Sequence, residues 1–153
     1  MNNNDILRRI RYTYDYSDTQ MMDIFAKVGD RVSREDISNW MKREDDLSFV
    51  KMKDVALATF LNGFIVKHRG KREGTQPIPE RQLNNNTILR KVKIALKLRD
   101  QDMVDIIGLA GATVSVHEIN AFFRKPTQSQ YRPCLDQFLR NFFQGLQEKH
   151  RPE

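Results

Sequence analysis

The chain has 153 residues, of which 39% are hydrophobic and 30% are charged, and its formal net charge is +6. This composition is typical of a soluble globular protein, and no apolar run is long enough to span a bilayer. The single cysteine, Cys134, cannot form an internal disulfide, and the N-terminus lacks the charged-then-apolar pattern of a secretory signal. We therefore expect a cytoplasmic protein without membrane association.

An internal repeat organises the chain. Sliding the sequence by 82 positions aligns residues 1–70 with residues 83–152 without a gap and gives 21 identities. The segment from Gly70 to Gln82 contains two glycines and a Pro-Ile-Pro stretch, which disfavour helix. We therefore predict a first repeat at 1–70, a linker at 71–82 and a second repeat at 83–153, with one fold shared by both repeats.

Each repeat is predicted to contain four helices, because apolar residues recur at spacings of three and four. The first helix is expected over about Asp5 to Asp15, with Asn4 as its N-cap and Asn86 as the equivalent cap in the second repeat. The second helix is expected to end at Gly29 and at Gly111, because glycine readily takes the positive φ found where helices end.

The third helix is predicted to open at Ser33 and at Ser115, each of which is followed three residues later by an acid. The fourth helix of each repeat is predicted to be the longest. The predicted fold class is therefore all-α, a tandem duplication of a roughly 70-residue four-helix unit.

The second and third helices contain an element that resembles the helix-turn-helix of phage-repressor-like DNA-binding proteins. The resemblance rests on Gly29, which ends one helix, and on Ser33, which caps the next. The turn is longer than in that family, and Glu35 and Asp36 stand at the exposed start of the third helix, where DNA phosphates would repel them. A repeated packing unit is the alternative interpretation.

The basic excess lies mostly in the second repeat. Residues 1–70 carry 12 basic and 11 acidic side chains, whereas residues 83–153 carry 11 and 7. Arg and Lys at three-to-four spacing form an outer stripe on the first helix of each repeat, which suits nucleic-acid phosphates; a merely solvated face is the alternative. We predict that the nucleic-acid-binding residues are Arg8, Arg9, Arg11, Arg34, Asn39, Lys42, Arg90, Lys91, Lys93, Asn120, Arg124 and Lys125.

An asparagine triplet at residues 2–4 recurs intact at residues 84–86. One asparagine suffices as a helix cap, so the other two need a separate role. We expect them to form turn contacts, which asparagine makes well, and contacts to a partner are the alternative.

The sequence contains no group of side chains with catalytic or metal-binding spacing. His68 and His150 are equivalent and end the fourth helices among Lys and Arg, where cations complement the helix dipole; a phosphate contact is the alternative. His117 has Glu35 as its counterpart, so the repeat supplies no matching zinc site. No phosphate-binding glycine loop or paired-cysteine motif occurs. We predict no enzymatic activity, no cofactor and no metal.

The chain resembles a bacterial family of uncharacterised proteins, the YehS-like family, which contains a duplicated domain of unknown function. The resemblance rests on the run from Asn2 to Arg8, its echo from Asn84 to Arg90, and the segment from Val32 to Trp40 that leads to a Lys-Arg pair. It covers both repeats and the linker. The resemblance implies the duplicated architecture and the compartment, and it implies no activity.

Three functions stay open at this point. The first is a non-catalytic nucleic-acid-binding protein, for instance a regulator, with DNA or RNA as its partner. The second is a protein-protein interaction module without nucleic-acid binding. The third is a small enzyme, which the sequence supports least. Salt-sensitive binding to nucleic acid would distinguish the first from the others.

Overall fold

The computed structural model describes residues 1–152, and this part of the chain folds into eight α-helices without a strand. The first repeat contributes α1 to α4, and the second contributes α5 to α8. The helices are α1 (Asn3–Tyr14), α2 (Asp18–Ala26), α3 (Arg34–Met41), α4 (Asp54–Arg69), α5 (Asn85–Ala95), α6 (Asp100–Leu109), α7 (Val116–Phe122) and α8 (Asp136–His150). The all-α fold and the tandem duplication are confirmed.

The first helix of each repeat begins two residues earlier than predicted, and the predicted N-caps, Asn4 and Asn86, are wrong. Asn2 caps α1: its side chain accepts from the Asp5 amide at 2.8 Å, and the Asp5 carboxylate accepts from the Asn2 amide at 3.2 Å. Asn84 caps α5 by accepting from the amide of residue 87. A side-chain acceptor at this position satisfies an amide that the helix leaves unpaired.

Asn4 instead fastens the loop between α3 and α4 to the start of α1. Its Nδ2 donates to the carbonyls of Trp40 and Val50 at 2.9 and 3.0 Å, and its Oδ1 accepts from the Met52 amide at 2.9 Å. Asn86 makes the same three bonds 82 positions later, to Phe122, Arg132 and Cys134. Both asparagines are buried, so these bonds satisfy their own amide groups and pair backbone groups of the loop.

The middle asparagine of each triplet holds the start of the fourth helix. Asn3 Nδ2 donates to the Met52 carbonyl at 3.1 Å and to the Asp54 carboxylate at 2.7 Å. Asn85 repeats both bonds on the second copy, to Cys134 and Asp136. The triplets therefore make long-range contacts to a loop of their own repeat, whereas we had expected local turn contacts.

The turns between the second and third helices follow the prediction. Gly29 and Gly111 have φ angles of +79° and +83°, which glycine adopts without steric cost. Ser33 caps α3 and Ser115 caps α7, and each forms a capping box with the acid three residues later.

Close helix contacts build the core of each repeat. A Cβ on Gly63 would lie 2.0 Å from the Ile24 carbonyl oxygen, and a Cβ on Gly145 would lie 1.8 Å from that of Ile106. Only glycine fits at these two crossings, where α4 meets α2 and α8 meets α6. Fully buried aromatic side chains fill the surrounding space, among them Phe25, Phe60, Phe64, Phe142 and Phe143.

The two repeats dock through their first and fourth helices. α1 packs against α8, and α5 packs against α4. We call these two interfaces seams; each repeat contributes its first helix to one seam and its fourth helix to the other. Because α1 corresponds to α5 and α4 corresponds to α8, the two seams are equivalent. The repeats are therefore related by a pseudo-twofold axis, as the subunits of an isologous dimer are.

Polar contacts repeat across this axis with the 82-residue offset. Mid-helix, Arg9 donates to the Gln144 side chain at 2.8 Å, and Lys91 donates to the Asn62 side chain at 2.6 Å. Near the helix ends, Arg151 donates to the Tyr12 carbonyl, as Arg69 does to that of Ile94. Near the helix starts, Asp136 accepts from the N-terminal amine, as Asp54 does from the Leu83 amide. The paired helices run parallel, because starts, middles and ends meet in order.

Candidate nucleic-acid interface

The basic stripe predicted on the outer face of α1 is largely used inside the molecule. Arg8 donates to the Met41 carbonyl at 3.1 Å and to the Lys42 carbonyl, and it pairs with Asp5 at 3.2 Å. These bonds cap the end of α3, whose last carbonyls lack helical partners. The prediction that this side chain points freely outward is wrong.

Arg11 is also engaged within the first repeat. Its Nε donates to the Tyr16 carbonyl at 3.0 Å, and its guanidinium pairs with the Asp18 carboxylate at 2.8 Å. This pair ties the end of α1 to the start of α2. Its placement on a free outer face is likewise wrong, because the turn after α1 and the start of α2 supply its partners.

Arg9 and Lys91 lie in the two seams between repeats. The Lys91 side chain is buried, with its ammonium 3.0 Å from the Glu80 carboxylate of the linker. Lys91 therefore does not belong to an outer stripe, and the reason is that α5 packs against α4. Arg9 is half-buried in the other seam, beside Gln144.

Among the described residues 1–152, Arg90 is the one cation of the α5 stripe that forms no ion pair. Lys93 is tied down: its ammonium pairs with Asp100 at 2.7 Å and lies 4.3 Å from the centroid of the Phe123 ring. Arg90 is exposed and stands on the same face of α5, four residues after Asn86 and three before Lys93. Asn86 and Lys93 both contact the end of α7. Arg90 lies between them on the same face of α5 and is therefore also close to the end of α7.

Basic residues follow α7 directly and extend the charge around Arg90. Arg124 is half-buried, and Lys125 and Arg132 are exposed. The Asn86 side chain joins the carbonyl of Arg132 to α5, so the loop returns to the same face. Arg90, Arg124, Lys125 and Arg132 together form what we call the second-repeat basic surface.

The corresponding loop of the first repeat has a different charge. Residues 41–51 contain three basic and three acidic side chains, whereas residues 123–133 contain three basic and no acidic ones. The acids of the first loop also engage nearby groups: Glu44 accepts from the Asn2 side chain at 3.0 Å, and Asp45 lies 3.5 Å from Arg43. The two repeats therefore do not present a matched pair of basic loops.

The remaining predicted residues are scattered. Arg34 is exposed and reaches Thr19 at 3.5 Å, while Asn39 and Lys42 are half-buried. Asn120 is exposed, with its Nδ2 3.4 Å from the Asp100 carboxylate. The structure brings Arg90, Arg124 and Lys125 of the predicted set together and adds Arg132, which the sequence reasoning missed. The absence of acids between Pro126 and Pro133 was the available signal for it.

A separate aromatic cluster joins the ends of α1, α4 and α8. The Tyr14 ring lies 5.9 Å from the His68 ring and 5.1 Å from the His150 ring, measured between centroids. Burial raises the pKa of the Tyr14 phenol, and its hydroxyl has no hydrogen-bond partner. The pKa of His68 is lowered by burial and by Lys67 and His150, and burial and Lys149 lower the pKa of His150.

These histidines predict a pH-dependent stability. Because their pKa values in the folded protein are below the unfolded value of 6.5, the unfolded chain binds more protons under mildly acidic conditions. Their contribution to stability is complete above the unfolded pKa and is lost as the pH falls from there through the lower folded pKa values. We expect the Tm of the wild type to fall between about pH 7.5 and about pH 5.5, and the fall to be smaller in His68→Gln.

The matched control is His117→Gln, because His117 is exposed on α7 and lies outside this cluster. Its pH dependence should follow the wild type. Differential scanning fluorimetry across the pH series measures all three proteins. An equal slope for wild type and His68→Gln would contradict the assignment.

Neither a cluster of metal-ligating side chains nor a membrane-spanning helix is found in residues 1–152. Within residues 1–152, no three His, Cys, Asp or Glu side chains stand together as a metal site would require. No helix in the same range is both long and apolar enough to cross a membrane. Burial raises the pKa of the Cys134 thiol to about 12, which makes this cysteine a poor nucleophile.

Comparison with known proteins identifies relatives of both repeats. Residues 3–70 and 85–151 match the model of a family described as protein of unknown function (DUF1456). The chain is 39% identical over 147 residues to the uncharacterized protein YehS of Escherichia coli (strain K12), and the match covers 95% of this chain and 94% of that protein. No solved structure matches the chain. The two matched stretches coincide with the two four-helix units.

Proposed function

Because the chain belongs to the family described as protein of unknown function (DUF1456), whose description assigns no activity, we propose its function from the geometry. It is a non-catalytic protein that binds the phosphate backbone of nucleic acid through the second-repeat basic surface. The observation that carries this proposal is the gathering of Arg90, Arg124, Lys125 and Arg132 around the end of α7, with no acid in the adjoining loop.

Charge supports phosphate as the ligand. Lys125, Arg132 and Arg90 are exposed, so their cations are accessible to a partner without desolvating a protein ion pair. The Arg132 guanidinium donates to the loop carbonyls of Ser129 and Tyr131, at 3.2 and 2.9 Å, and forms no ion pair within residues 1–152. Each lysine or arginine that neutralises a phosphate releases condensed counterions, which gives affinity without a base contact.

Backbone binding is favoured over base reading. The exposed start of α7 carries Val116, His117 and Glu118, and that of α3 carries Arg34 and Glu35. A helix that reads base edges in the major groove normally presents Arg, Lys, Asn or Gln at this position. We therefore assign the contacts to the end of α7 and its loop, and the helix-turn-helix resemblance is not needed for them.

The test compares two variants of equal charge change. Arg90→Gln/Arg124→Gln/Lys125→Gln removes three cations from the second-repeat basic surface, and Lys42→Gln/Arg43→Gln/Lys51→Gln removes three from the first repeat, where acids surround them. Fluorescence anisotropy with a short random duplex and with a single-stranded RNA of equal length measures affinity at about 50 mM salt. We expect the first variant to lose at least about tenfold and the second to lose clearly less.

Equal losses in the two variants would contradict this location, since they would reflect net charge alone. An unchanged affinity in the second-repeat variant would contradict it as well. If the wild type binds neither nucleic acid, the alternative function is favoured, which is a protein-protein interaction module.

A further inference from the structure

An open groove lies in the seam between α1 and α8, away from the second-repeat basic surface. Its volume is about 370 Å³, within the range of small-ligand sites. Side chains from both repeats line it, including Met1, Asp5, Arg9, Tyr12, Arg140 and Gln147. The groove therefore exists only because the two repeats dock.

The equivalent seam, between α4 and α5, already holds an anion. There Lys91 takes the place of Arg9 and donates to Asn62, the counterpart of Gln144. The Glu80 carboxylate of the linker completes the arrangement, 3.0 Å from the Lys91 ammonium. A cation in this seam thus has two partners: an amide of the neighbouring helix and a carboxylate from an extended segment.

The α1–α8 seam has the cation and the amide, but within residues 1–152 no carboxylate lies within ion-pair distance of the cation. Arg9 donates to Gln144 at 2.8 Å and forms no ion pair within residues 1–152, and the linker lies on the other seam. Arg140 is exposed at the rim and adds a second cation to the groove. Within residues 1–152, no carboxylate therefore occupies the position beside Arg9 that corresponds to Glu80 beside Lys91.

The acids near this groove are already engaged by other groups. Asp5 pairs with Arg8 at 3.2 Å and accepts from the Asn2 amide, and Glu148 accepts from the Gln144 side chain at 2.9 Å. Arg9 and Arg140 consequently form no close ion pair within residues 1–152, although the Asp136 carboxylate acts electrostatically on Arg140 from one turn earlier in α8. Guanidinium matches the planar geometry of a carboxylate with two parallel hydrogen bonds.

We propose that the α1–α8 groove binds a carboxylate, held by Arg9 and Arg140 in the position that Glu80 occupies relative to Lys91. The carboxylate comes either from a glutamate side chain on an extended segment similar to the linker or from a free dicarboxylate. This site is independent of the nucleic-acid surface, since the two share no residue.

An NMR titration of the full-length protein tests the site with defined probes. The first probe is an acetylated and amidated peptide with the sequence of residues 77–81, and the second is the same peptide with glutamine in place of the residue-80 glutamate. Glutarate and inorganic phosphate are titrated separately. We expect saturable shifts at Arg9, Tyr12 and Arg140 with the glutamate peptide or with glutarate, and none with the glutamine peptide. The glutamate peptide binding more tightly than glutarate would identify an extended segment as the source, and the reverse order a free dicarboxylate.

Variants connect the shifts to the guanidinium groups. Arg140→Gln changes an exposed side chain, so the fold is retained, and we expect it to weaken carboxylate binding at least about tenfold. Arg31→Gln, an exposed site on the turn after α2, is the matched control and should bind as the wild type does. Equal shifts from both peptides, shifts from phosphate alone, or no saturable shift from any carboxylate would overturn the proposal.

Discussion

Replacing Gly63 with alanine is expected to destabilise the protein by on the order of 3 kcal/mol, because overpacking against rigid backbone is costly. The added Cβ would lie 2.0 Å from the Ile24 carbonyl oxygen, and no side-chain rotation can relieve a contact with backbone. α2 and α4 must therefore separate, which opens the core around Phe25 and Phe60. Gly145→Ala should behave alike, since its Cβ would meet the Ile106 carbonyl at 1.8 Å.

The matched control is Gly108→Ala, another glycine inside a helix. Nothing lies within 4 Å of a Cβ at this position, so alanine should raise the free energy of unfolding by up to about 1 kcal/mol through helix propensity. Urea denaturation followed by circular dichroism measures all three variants. A Gly63→Ala protein as stable as the wild type would show that the two helices are not in close contact.

Replacing Asn86 with alanine is expected to destabilise the protein by about 3 kcal/mol or more. The change leaves the carbonyls of Phe122 and Arg132 and the amide of Cys134 without their partner. Each buried polar group left unpaired costs about 1 to 3 kcal/mol. Asn4→Ala should have a similar effect, because it makes the equivalent bonds in the first repeat.

Asn84→Ala provides the control within the same triplet. Asn84 is exposed and makes one cap bond, to the Thr87 amide, whose loss should cost only about 1 kcal/mol. The difference between the two variants, read from urea midpoints, measures the loop-fastening role. Equal losses would mean that the asparagines act merely as caps.

The sequence predicted the elements of this fold because local signals agree with them. The 82-residue offset located both repeats, and Gly29, Ser33 and their counterparts marked helix ends by conformation and hydrogen bonding alone. The N-cap of α1 was misplaced for a tertiary reason. Asn4 has the chemistry of a cap, but its partners are the Trp40 and Val50 carbonyls, far away along the chain.

The candidate site was less predictable from sequence because its charges depend on packing. Arg8 and Arg90 are identical residues at equivalent positions, yet only Arg8 forms bonds to the third helix of its repeat. Similarly, spacing alone cannot show that Lys91 faces the other repeat, because the docking of α5 against α4 decides it. What the sequence did contain was the location of the excess charge, which lies in the second repeat.

The two repeats share the same docking contacts but differ in the charge of their outer loops. The seams share a mid-helix polar pair, Arg9 with Gln144 in one and Lys91 with Asn62 in the other. Outside the seams the copies differ: the loop after α3 is acidic as well as basic, and the loop after α7 is basic alone. The duplication thus gives the second repeat a more basic loop than the first.

The most direct test of phosphate binding by the second-repeat basic surface is the salt dependence of nucleic-acid binding by the wild-type protein. Four phosphate contacts, one from each cation of the second-repeat basic surface, predict that log affinity falls linearly with log salt, with a slope of about −3.6 for duplex DNA and about −2.8 for a single strand. Filter binding across a salt series gives the slope. A slope in this range supports phosphate binding by the second-repeat basic surface, and salt-independent affinity, or no binding at low salt, would contradict it.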